Sequence, residues 1–109
     1  MKNKYNAKKV TIDGITFDSK KEGKRYRDLK LLQRSKMISN LKLQPEFKFI
    51  INSKPVKMMN GHTAKYTADF SYIENGKTVY EDVKGVKTEA YRLRKAITEH
   101  IYGIKITEV

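Results

Sequence analysis

The sequence predicts a compact mixed α/β domain: a small N-terminal hairpin, a helix, three strands, a second helix and a last strand, with the helices covering the sheet. Three observations lead to this expectation. Alternating apolar residues flank an Asp-Gly and an Asn-Gly pair, two segments carry apolar residues at helical spacing, and 109 residues with 39% hydrophobic content suffice for one core. We therefore expect one domain over residues 1–109, in which residues 1–9 form a flexible basic arm.

The first third of the chain predicts a hairpin followed by a helix. Residues 10–17 alternate around Asp13-Gly14, which indicates a tight turn between two short strands. Ser19 and Glu22 fit the first and last positions of a helix capping box, so a helix is expected to begin there and to run to about Ser35. Its apolar residues recur at helical spacing: Tyr26, Leu29 and Leu32.

The rest of the chain predicts strands and a second helix. Residues 41–51 are expected to be extended with an interruption at Gln44-Pro45, and residues 52–62 to form a loop or a distorted hairpin. Residues 66–73 and 78–84 alternate on either side of Asn75-Gly76, which predicts a second hairpin. The last helix is expected to start after Thr88, to end at Gly103 and to precede a short strand. Its predicted apolar stripe is Ala90, Leu93, Ile97 and Ile101.

Charge and composition narrow the class of partner. Lys and Arg number 24 against 12 acidic residues, a net charge of +12, which is typical of proteins that bind nucleic acid; a charge that only promotes solubility is the alternative. There are no cysteines, which excludes disulfides and thiolate zinc sites and fits a reducing cytoplasm. No apolar run approaches the ~20 residues of a membrane span, and no signal peptide is expected.

The second hairpin is expected to bring two carboxylates together. If Asn75-Gly76 is a two-residue turn, paired residue numbers sum to 151, so Asp69 stands opposite Asp82. Directly opposed side chains share a face, and Lys84, two residues beyond Asp82, projects from that face too. Opposed like charges destabilise a sheet unless something neutralises them, and a divalent cation such as Mg²⁺ is the candidate.

Two other interpretations of these acids stay open. Both aspartates can instead lie on a solvated edge, paired with Lys84 or Lys65. Glu22 lies in line with the apolar side of the first helix, where it can either join the acidic site or complete the capping box.

Basic residues around the proposed site are the candidates for contacting DNA. Thr88 is included because free amides at a helix N-terminus favour phosphate, and Tyr91 because a ring can lie against a sugar or base. For each single charge, a solvated helix face is the alternative. The basic candidates lie on the first and second helices and their starts: Lys20, Lys21, Lys24, Arg25, Lys87, Arg92, Arg94 and Lys95.

Two other cofactors are not expected. Gly76-Lys77-Thr78 lacks the earlier glycine of a phosphate-binding loop and lies in a predicted hairpin, so no nucleotide cofactor is expected. His62 and His100 are far apart in a chain without cysteine, which argues against zinc.

Taken in order, these motifs resemble the PD-(D/E)XK nuclease superfamily, which includes Holliday junction resolvases and very-short-patch repair endonucleases. Asp69 resembles its first acid, although Ala68 stands where some members have proline. Asp82-Val83-Lys84 resembles the (D/E)-x-K element, and Glu22 the acid that many members add from the first helix. Glu81 alternates to the other face and is left out of the site.

The resemblance is closest to small phage and prophage proteins of this superfamily. The shared stretches are Gly14-Ile15-Thr16-Phe17-Asp18-Ser19-Lys20-Lys21-Glu22, the Gln44-Pro45 pair, and Asp69-Phe70 followed by Glu81-Asp82-Val83-Lys84-Gly85.

The resemblance implies a restriction-endonuclease-like core with a mixed four-stranded sheet, and Mg²⁺-dependent hydrolysis of DNA, with Mn²⁺ able to substitute. Asp69, Asp82, the Val83 carbonyl and Glu22 would hold the metal, Lys84 would position the nucleophile, and Gln44 would lie near the site. Cleavage of branched DNA by a homodimer is the favoured activity. The alternatives are a nicking or mismatch-directed nuclease, an RNA-directed nuclease, and a non-catalytic DNA-binding module.

Overall fold

A computed structural model describes residues 8–109, so most of the predicted basic arm at residues 1–9 lies outside the described part. The elements follow the predicted order, with additional short strands in the middle of the chain. Their bounds are β1 Val10–Ile12, β2 Ile15–Phe17, α1 Lys20–Arg34, β3 Ser39–Leu43, β4 Glu46–Lys48, β5 Ile50–Ile51, β6 Lys54–Pro55, β7 Lys65–Thr67, β8 Phe70–Glu74, β9 Lys77–Asp82, α2 Glu89–Tyr102 and β10 Ile106–Glu108.

Four strands form the central sheet in the order β10-β9-β8-β3. β3, β8 and β9 are antiparallel neighbours, whereas β10 pairs with β9 in parallel. A parallel pair needs a crossover connection, and α2 supplies it. The chain therefore has the predicted mixed α/β class, with two helices and a mixed four-stranded sheet.

Both predicted hairpins are present because their turn residues tolerate positive φ. In Asp13-Gly14 and Asn75-Gly76 the four φ values lie between 52° and 76°. Two successive positive φ values characterise the type I′ turn, whose twist matches that of the flanking strands. In the second hairpin the predicted register holds as far as the pair of Phe70 with Glu81.

The strand predicted over residues 66–73 is broken, which corrects the sequence interpretation. Ala68-Asp69 separates β7 from β8, and Gln44-Pro45 makes a matching break opposite, where Gln44 has a φ of 52°. Two backbone hydrogen bonds join the breaks, from Gln44 N–H to the Asp69 carbonyl (2.9 Å) and from Ala68 N–H to the Pro45 carbonyl (3.1 Å). The two-stranded ribbon therefore bends at Asp69 without losing its pairing.

Beyond this bend, residues 45–68 form a segment that we call the arm, which is distinct from the predicted basic arm at residues 1–9. β4 pairs with β7 in it, and β5 pairs with β6 around Asn52-Ser53. The tip is a turn closed by bonds from Met58 N–H to the His62 carbonyl (2.8 Å) and from Gly61 N–H to the Met58 carbonyl (2.9 Å). Of the two forms expected for residues 52–62, the structure has the distorted hairpin.

Two clusters of buried side chains hold the layers together. The first joins α1 to one face of the sheet through Tyr26, Leu29, Phe70 and Tyr72. Since side chains alternate along a strand, Tyr80 and Asp82 of β9 project to the other face. There α2 and the arm form the second cluster, whose buried members are Phe47, Phe49, Ala64, Tyr66, Ala68, Tyr91 and Ile106.

The helix boundaries follow the predicted caps. The Ser19 hydroxyl accepts from Glu22 N–H, the Thr88 hydroxyl accepts from Tyr91 N–H, each at 3.1 Å, and Gly103 ends α2 with a φ of 63°. At 15 and 14 residues, neither helix in residues 8–109 is long and apolar enough to cross a membrane.

The predicted apolar stripe of α2 is partly wrong. Leu93 is 60% exposed and Ala90 is exposed as well, whereas Tyr91 and Thr98 are buried. The reason is a tertiary contact: β7 of the arm packs against α2, and the helix face that carries Tyr91 is therefore the buried one. Ile97 and Ile101 are half-buried at the edge of this contact.

Candidate functional site

Asp69 and Asp82 come together where the second hairpin meets the bend. The N–H of Asp69 donates to the carbonyl of Glu81 (3.0 Å), which is already paired with Phe70, so the ladder becomes irregular here and strand pairing stops. The two carboxylates are nevertheless neighbours, since the carboxyl of Asp82 is among the groups that raise the pKa of Asp69. The structure thus brings together the two acids that the register predicted, although in a bend and not in a regular strand pair.

Asp82 is fully buried, and its two oxygens have different surroundings. Oδ2 accepts a short hydrogen bond from the Tyr66 hydroxyl of the arm. Oδ1 lies 3.3 Å from Lys84 Nζ, but the angles are not those of a hydrogen bond, and the atom is buried without any hydrogen-bond partner. Buried carboxylate oxygens are normally bonded, so Oδ1 has free capacity for a ligand.

The pKa of the Asp69 carboxyl is raised well above its usual value. Burial is the main cause that raises its pKa, from 3.8 to about 8, and the adjacent carboxyl of Asp82 raises it further. The N–H of Val83 donates to Asp69 Oδ2 at 2.7 Å and acts in the opposite direction. Without a neutralising ligand, the pair of acids therefore retains a proton around neutral pH.

Lys84 follows β9 and lies beside Asp82, as the sequence predicts. Its Nζ lies 4.9 Å from the centre of the Tyr91 ring, and its side chain remains 31% exposed. It borders two pockets, one of about 610 Å³ that contains Glu22 and Asp69 and one of about 430 Å³ toward the arm. A cation in this position can reach a bound anion in either pocket.

Glu22 lines the larger pocket instead of completing the capping box. Ser19 accepts from the Glu22 amide, but within residues 8–109 the Glu22 carboxylate makes no return bond to Ser19 N–H. Its pKa is raised, first by burial and then by the charge of Asp18, and Lys84 lowers it. The carboxylate is therefore available to the pocket.

Within the described part of the chain, the side chains near Asp82 offer oxygen donors, the atom type that a hard divalent cation prefers, without forming a complete set of ligands. Across the described residues 8–109, no three carboxylate or imidazole side chains converge on one point, so the predicted set of Glu22, Asp69, Asp82 and Val83 does not form a closed cage. The donors at hand are nevertheless all oxygens, and Asp82 Oδ1 is buried without a hydrogen bond, beside the Lys84 ammonium. Mg²⁺ prefers such sites, with one or two carboxylates completed by water and phosphate oxygens.

The comparisons with known proteins give a family. The chain matches, over residues 2–108, the family described as "Protein of unknown function (DUF1064)". The chain belongs to this family. No curated protein and no solved structure shows significant similarity to it.

The first-helix cations of this DUF1064 protein have two different environments. Lys20, Lys21 and Lys24 are exposed, and Lys21 Nζ lies 3.4 Å from the Lys84 carbonyl at the pocket edge. Arg25 instead makes two hydrogen bonds to Glu81, at 2.8 and 2.6 Å. That ion pair occupies the guanidinium and does not favour the interpretation of Arg25 as a DNA contact.

The cations of α2 are mostly engaged within the protein. Lys87 pairs with Glu108 (3.0 Å) and Lys95 with Glu99 (3.2 Å), while Arg94 donates to the Lys65 carbonyl (2.6 Å). The first two are ion pairs with exposed or partly exposed lysines, which an incoming phosphate can replace at little cost. Arg92 is exposed.

The remaining predicted contacts serve the fold. Tyr91 is 8% exposed, and its hydroxyl donates to Glu108 (2.6 Å). Its ring packs under the Lys84 ammonium, so it offers little surface to DNA. The Thr88 hydroxyl caps α2. Gln44 is exposed and reaches the site only through its backbone bond to Asp69.

Sequence reasoning missed Tyr66 and the role of Glu81. The hydroxyl of Tyr66 reaches Asp82 because the arm folds back over α2, a contact that no local pattern announces. Glu81 lies on the opposite face from Asp82, as expected. Its side chain is 1% exposed, and its carboxylate accepts hydrogen bonds from Arg25 and from the Tyr72 hydroxyl. Alternation identified its face but could not identify its partners.

Proposed function

We propose that this protein is a divalent-cation-dependent endonuclease that hydrolyses phosphodiester bonds in DNA, with a restriction-endonuclease-like core. The observation that carries the proposal is the pair of adjacent carboxylates, Asp69 and Asp82, with a buried Asp82 oxygen that makes no hydrogen bond and has the Lys84 ammonium beside it. Two acids and a lysine in a pocket are what phosphodiester hydrolysis with a bound metal needs. The net charge of +12 supports a polyanionic substrate.

In this proposal each site residue has a role that follows from its position. Asp69 and Asp82 would hold the cation, with Glu22 reaching it from the first helix and the Val83 carbonyl as a further ligand. When bound, Mg²⁺ supplies Lewis-acid activation of water and neutralises charge on the phosphate. Lys84 donates to a phosphate oxygen as negative charge grows there, and Tyr66 fixes the orientation of the Asp82 carboxylate.

The finer parts of the proposal come from the resemblance to junction resolvases. Branched DNA is the proposed substrate class, a homodimer the proposed active form, since two strands must be cut, and the cytoplasm of a phage-infected or lysogenic bacterium the proposed location. The absence of cysteine supports a reducing compartment.

A cleavage assay with matched variants tests the proposal. The substrates are labelled duplex, single-stranded, nicked, flap and four-way-junction DNA with an RNA duplex, each in Mg²⁺, Mn²⁺ or EDTA. We compare the wild type with Asp69→Asn and Lys84→Gln, and with Asp28→Asn as the control, since Asp28 is exposed on α1 away from the pocket.

Each outcome discriminates between the interpretations. We expect metal-dependent cutting that both site variants reduce by at least about 10²-fold, as removal of one charge-stabilising group does, while Asp28→Asn cuts normally. Retained DNA binding and unchanged melting would show that the site variants fold. Tight DNA binding without cutting of any substrate in either metal would refute the enzyme and leave a binding module.

A further inference from the structure

Two adjacent methionines project from the tip of the arm. Met59 is 108% exposed, the most exposed large hydrophobic residue in the described part of the chain, and Met58 is 42% exposed. Single exposed apolar side chains are common, but here two of them are carried by a turn with a defined backbone. Two backbone bonds close that turn, and the Asn60 side chain accepts from His62 N–H at 2.9 Å.

The tip lies beside the candidate site. Met58 and His62 line the pocket of about 430 Å³ whose wall also includes Lys84 and Tyr66. A strand whose phosphate meets Lys84 would therefore continue toward the tip. Beyond the bend between β7 and β8 the arm lies against the end of β9, where the Tyr66 hydroxyl donates to Asp82.

The charge around the tip selects a polyanion as the occupant. Residues 54–65 contain three lysines and a histidine and no acidic residue, and of the three lysines Lys65 is paired with Glu46 of the neighbouring strand (2.9 Å). Lys57 of the tip donates to the Thr63 hydroxyl (3.1 Å), which leaves its positive charge uncompensated by any carboxylate. Apolar side chains surrounded by cations match nucleic acid, whose phosphates attract the cations and whose stacked bases offer an apolar interior.

We propose that Met58 and Met59 insert between bases of DNA bound at the site and unstack a base step next to the scissile phosphate. Methionine is among the side chains that proteins use as such wedges. Unstacking is least costly where stacking is already interrupted, at a branch, nick or mismatch. The wedge therefore selects distorted DNA by shape, which gives the proposed nuclease, on which this inference rests, its substrate preference.

Fluorescence of 2-aminopurine tests the wedge independently of cleavage, because the base brightens when it is unstacked. We place it at each step near the branch of a four-way junction and in an intact duplex, and we add the wild-type protein in Ca²⁺ without Mg²⁺. The test variant is Met58→Ala/Met59→Ala. The control is Met37→Ala, since Met37 is 62% exposed but borders the Asn75-Gly76 turn, at the opposite end of β8 and β9.

We expect the wild type and Met37→Ala to brighten one step near the branch and the double variant to brighten none. Loss of the two methionine contacts predicts that the double variant binds the junction at least about tenfold more weakly. Its affinity for intact duplex and its melting temperature should stay unchanged. Met59→Leu in the wild-type protein keeps the apolar volume and should therefore keep the fluorescence signal.

The outcomes separate the wedge from the nuclease. Brightening by the double variant equal to that of the wild type overturns the wedge. Cleavage by the wild type without brightening of any step overturns the wedge and leaves the nuclease. Brightening in Ca²⁺, with no cleavage of any substrate in the separate assays in Mg²⁺ and Mn²⁺, supports the wedge and refutes the nuclease. Binding of the tip to anionic lipid vesicles, with no binding to DNA, overturns the wedge.

Discussion

Replacing Arg25 with alanine tests whether this cation holds the sheet together or faces DNA. Its guanidinium makes two hydrogen bonds to Glu81, whose side chain is 1% exposed. The same ion pair raises the pKa of Arg25. Without Arg25 the buried carboxylate keeps one donor, the hydroxyl of Tyr72. The substitution therefore leaves an uncompensated charge inside the protein, and stability should fall.

The structure sets the size of the loss. Removing one partner of a buried ion pair costs about 3–5 kcal/mol. Arg25 is 28% exposed, so water can partly replace it, and Tyr72 remains; we therefore expect the lower figure, about 3 kcal/mol. An unfolding entropy of about 2.1 cal/mol/K per residue gives about 0.23 kcal/mol/K for 109 residues. The melting temperature should then fall by about 13 °C.

Thermal unfolding followed by circular dichroism at pH 7 measures this change. Arg27→Ala is the matched control, since Arg27 is exposed on the same helix and should change the melting temperature by only about 2 °C. Adding Glu81→Gln to Arg25→Ala should restore part of the stability, because it removes the uncompensated charge. Equal melting of Arg25→Ala and Arg27→Ala, together with weaker DNA binding by Arg25→Ala alone, would refute this reasoning.

Three further predictions concern the site and its supports. In EDTA the free energy of unfolding should fall as the pH rises from about 4 to about 8, by at most about 1.4 kcal/mol per pH unit. The reason is that the pKa of Asp69 is raised in the folded state, so the folded protein keeps a proton on this carboxyl that the unfolded chain releases. Urea titrations should show this slope in the wild type and a smaller one in Asp69→Asn or in saturating Mg²⁺. Gly23→Ala should cost about 1–3 kcal/mol in the same titrations, since its Cβ would lie 2.5 Å from Val10 Cγ2. Tyr66→Phe should cost about 1–3 kcal/mol by leaving Asp82 without its hydroxyl donor; an unchanged midpoint would contradict that bond.

The parts of the fold that the sequence predicts are those determined by neighbouring residues. Asn75-Gly76 fixes both the turn type and the register of β8 and β9, because only a few residues tolerate two successive positive φ values. Ser19 and Thr88 are caps because their hydroxyls accept from amides three residues later. The same turn sets the register as far as Phe70 and Glu81, so it predicts that Asp69 and Asp82 lie close together, but not the bend in which they meet.

The parts that the sequence does not predict depend on distant segments. Residues 66–73 alternate like one strand, and the break at Ala68-Asp69 exists because Gln44-Pro45 bends the opposite chain. The buried face of α2 is chosen by the arm, and this choice favours Tyr91 over the more apolar Leu93. Periodicity measures which side chains can be buried, whereas the tertiary contact decides which of them are.

The surroundings of Asp82 favour a bound ligand, as the proposed function requires. A buried structural aspartate would have both oxygens hydrogen-bonded, whereas here Tyr66 bonds Oδ2 and Oδ1 has the ion-pair contact of Lys84 at 3.3 Å without a hydrogen bond. A second carboxylate, from Asp69, is then held next to it by the bend at Gln44, whose positive φ is itself unfavourable. The oxygen without a hydrogen bond, the two adjacent carboxylates and the positive φ of Gln44 each lower stability at one place. Such clusters of unfavourable features are typical of functional sites. In this explanation Gln44 contributes no ligand; its backbone conformation holds Asp69 where a shared cation would remove the repulsion.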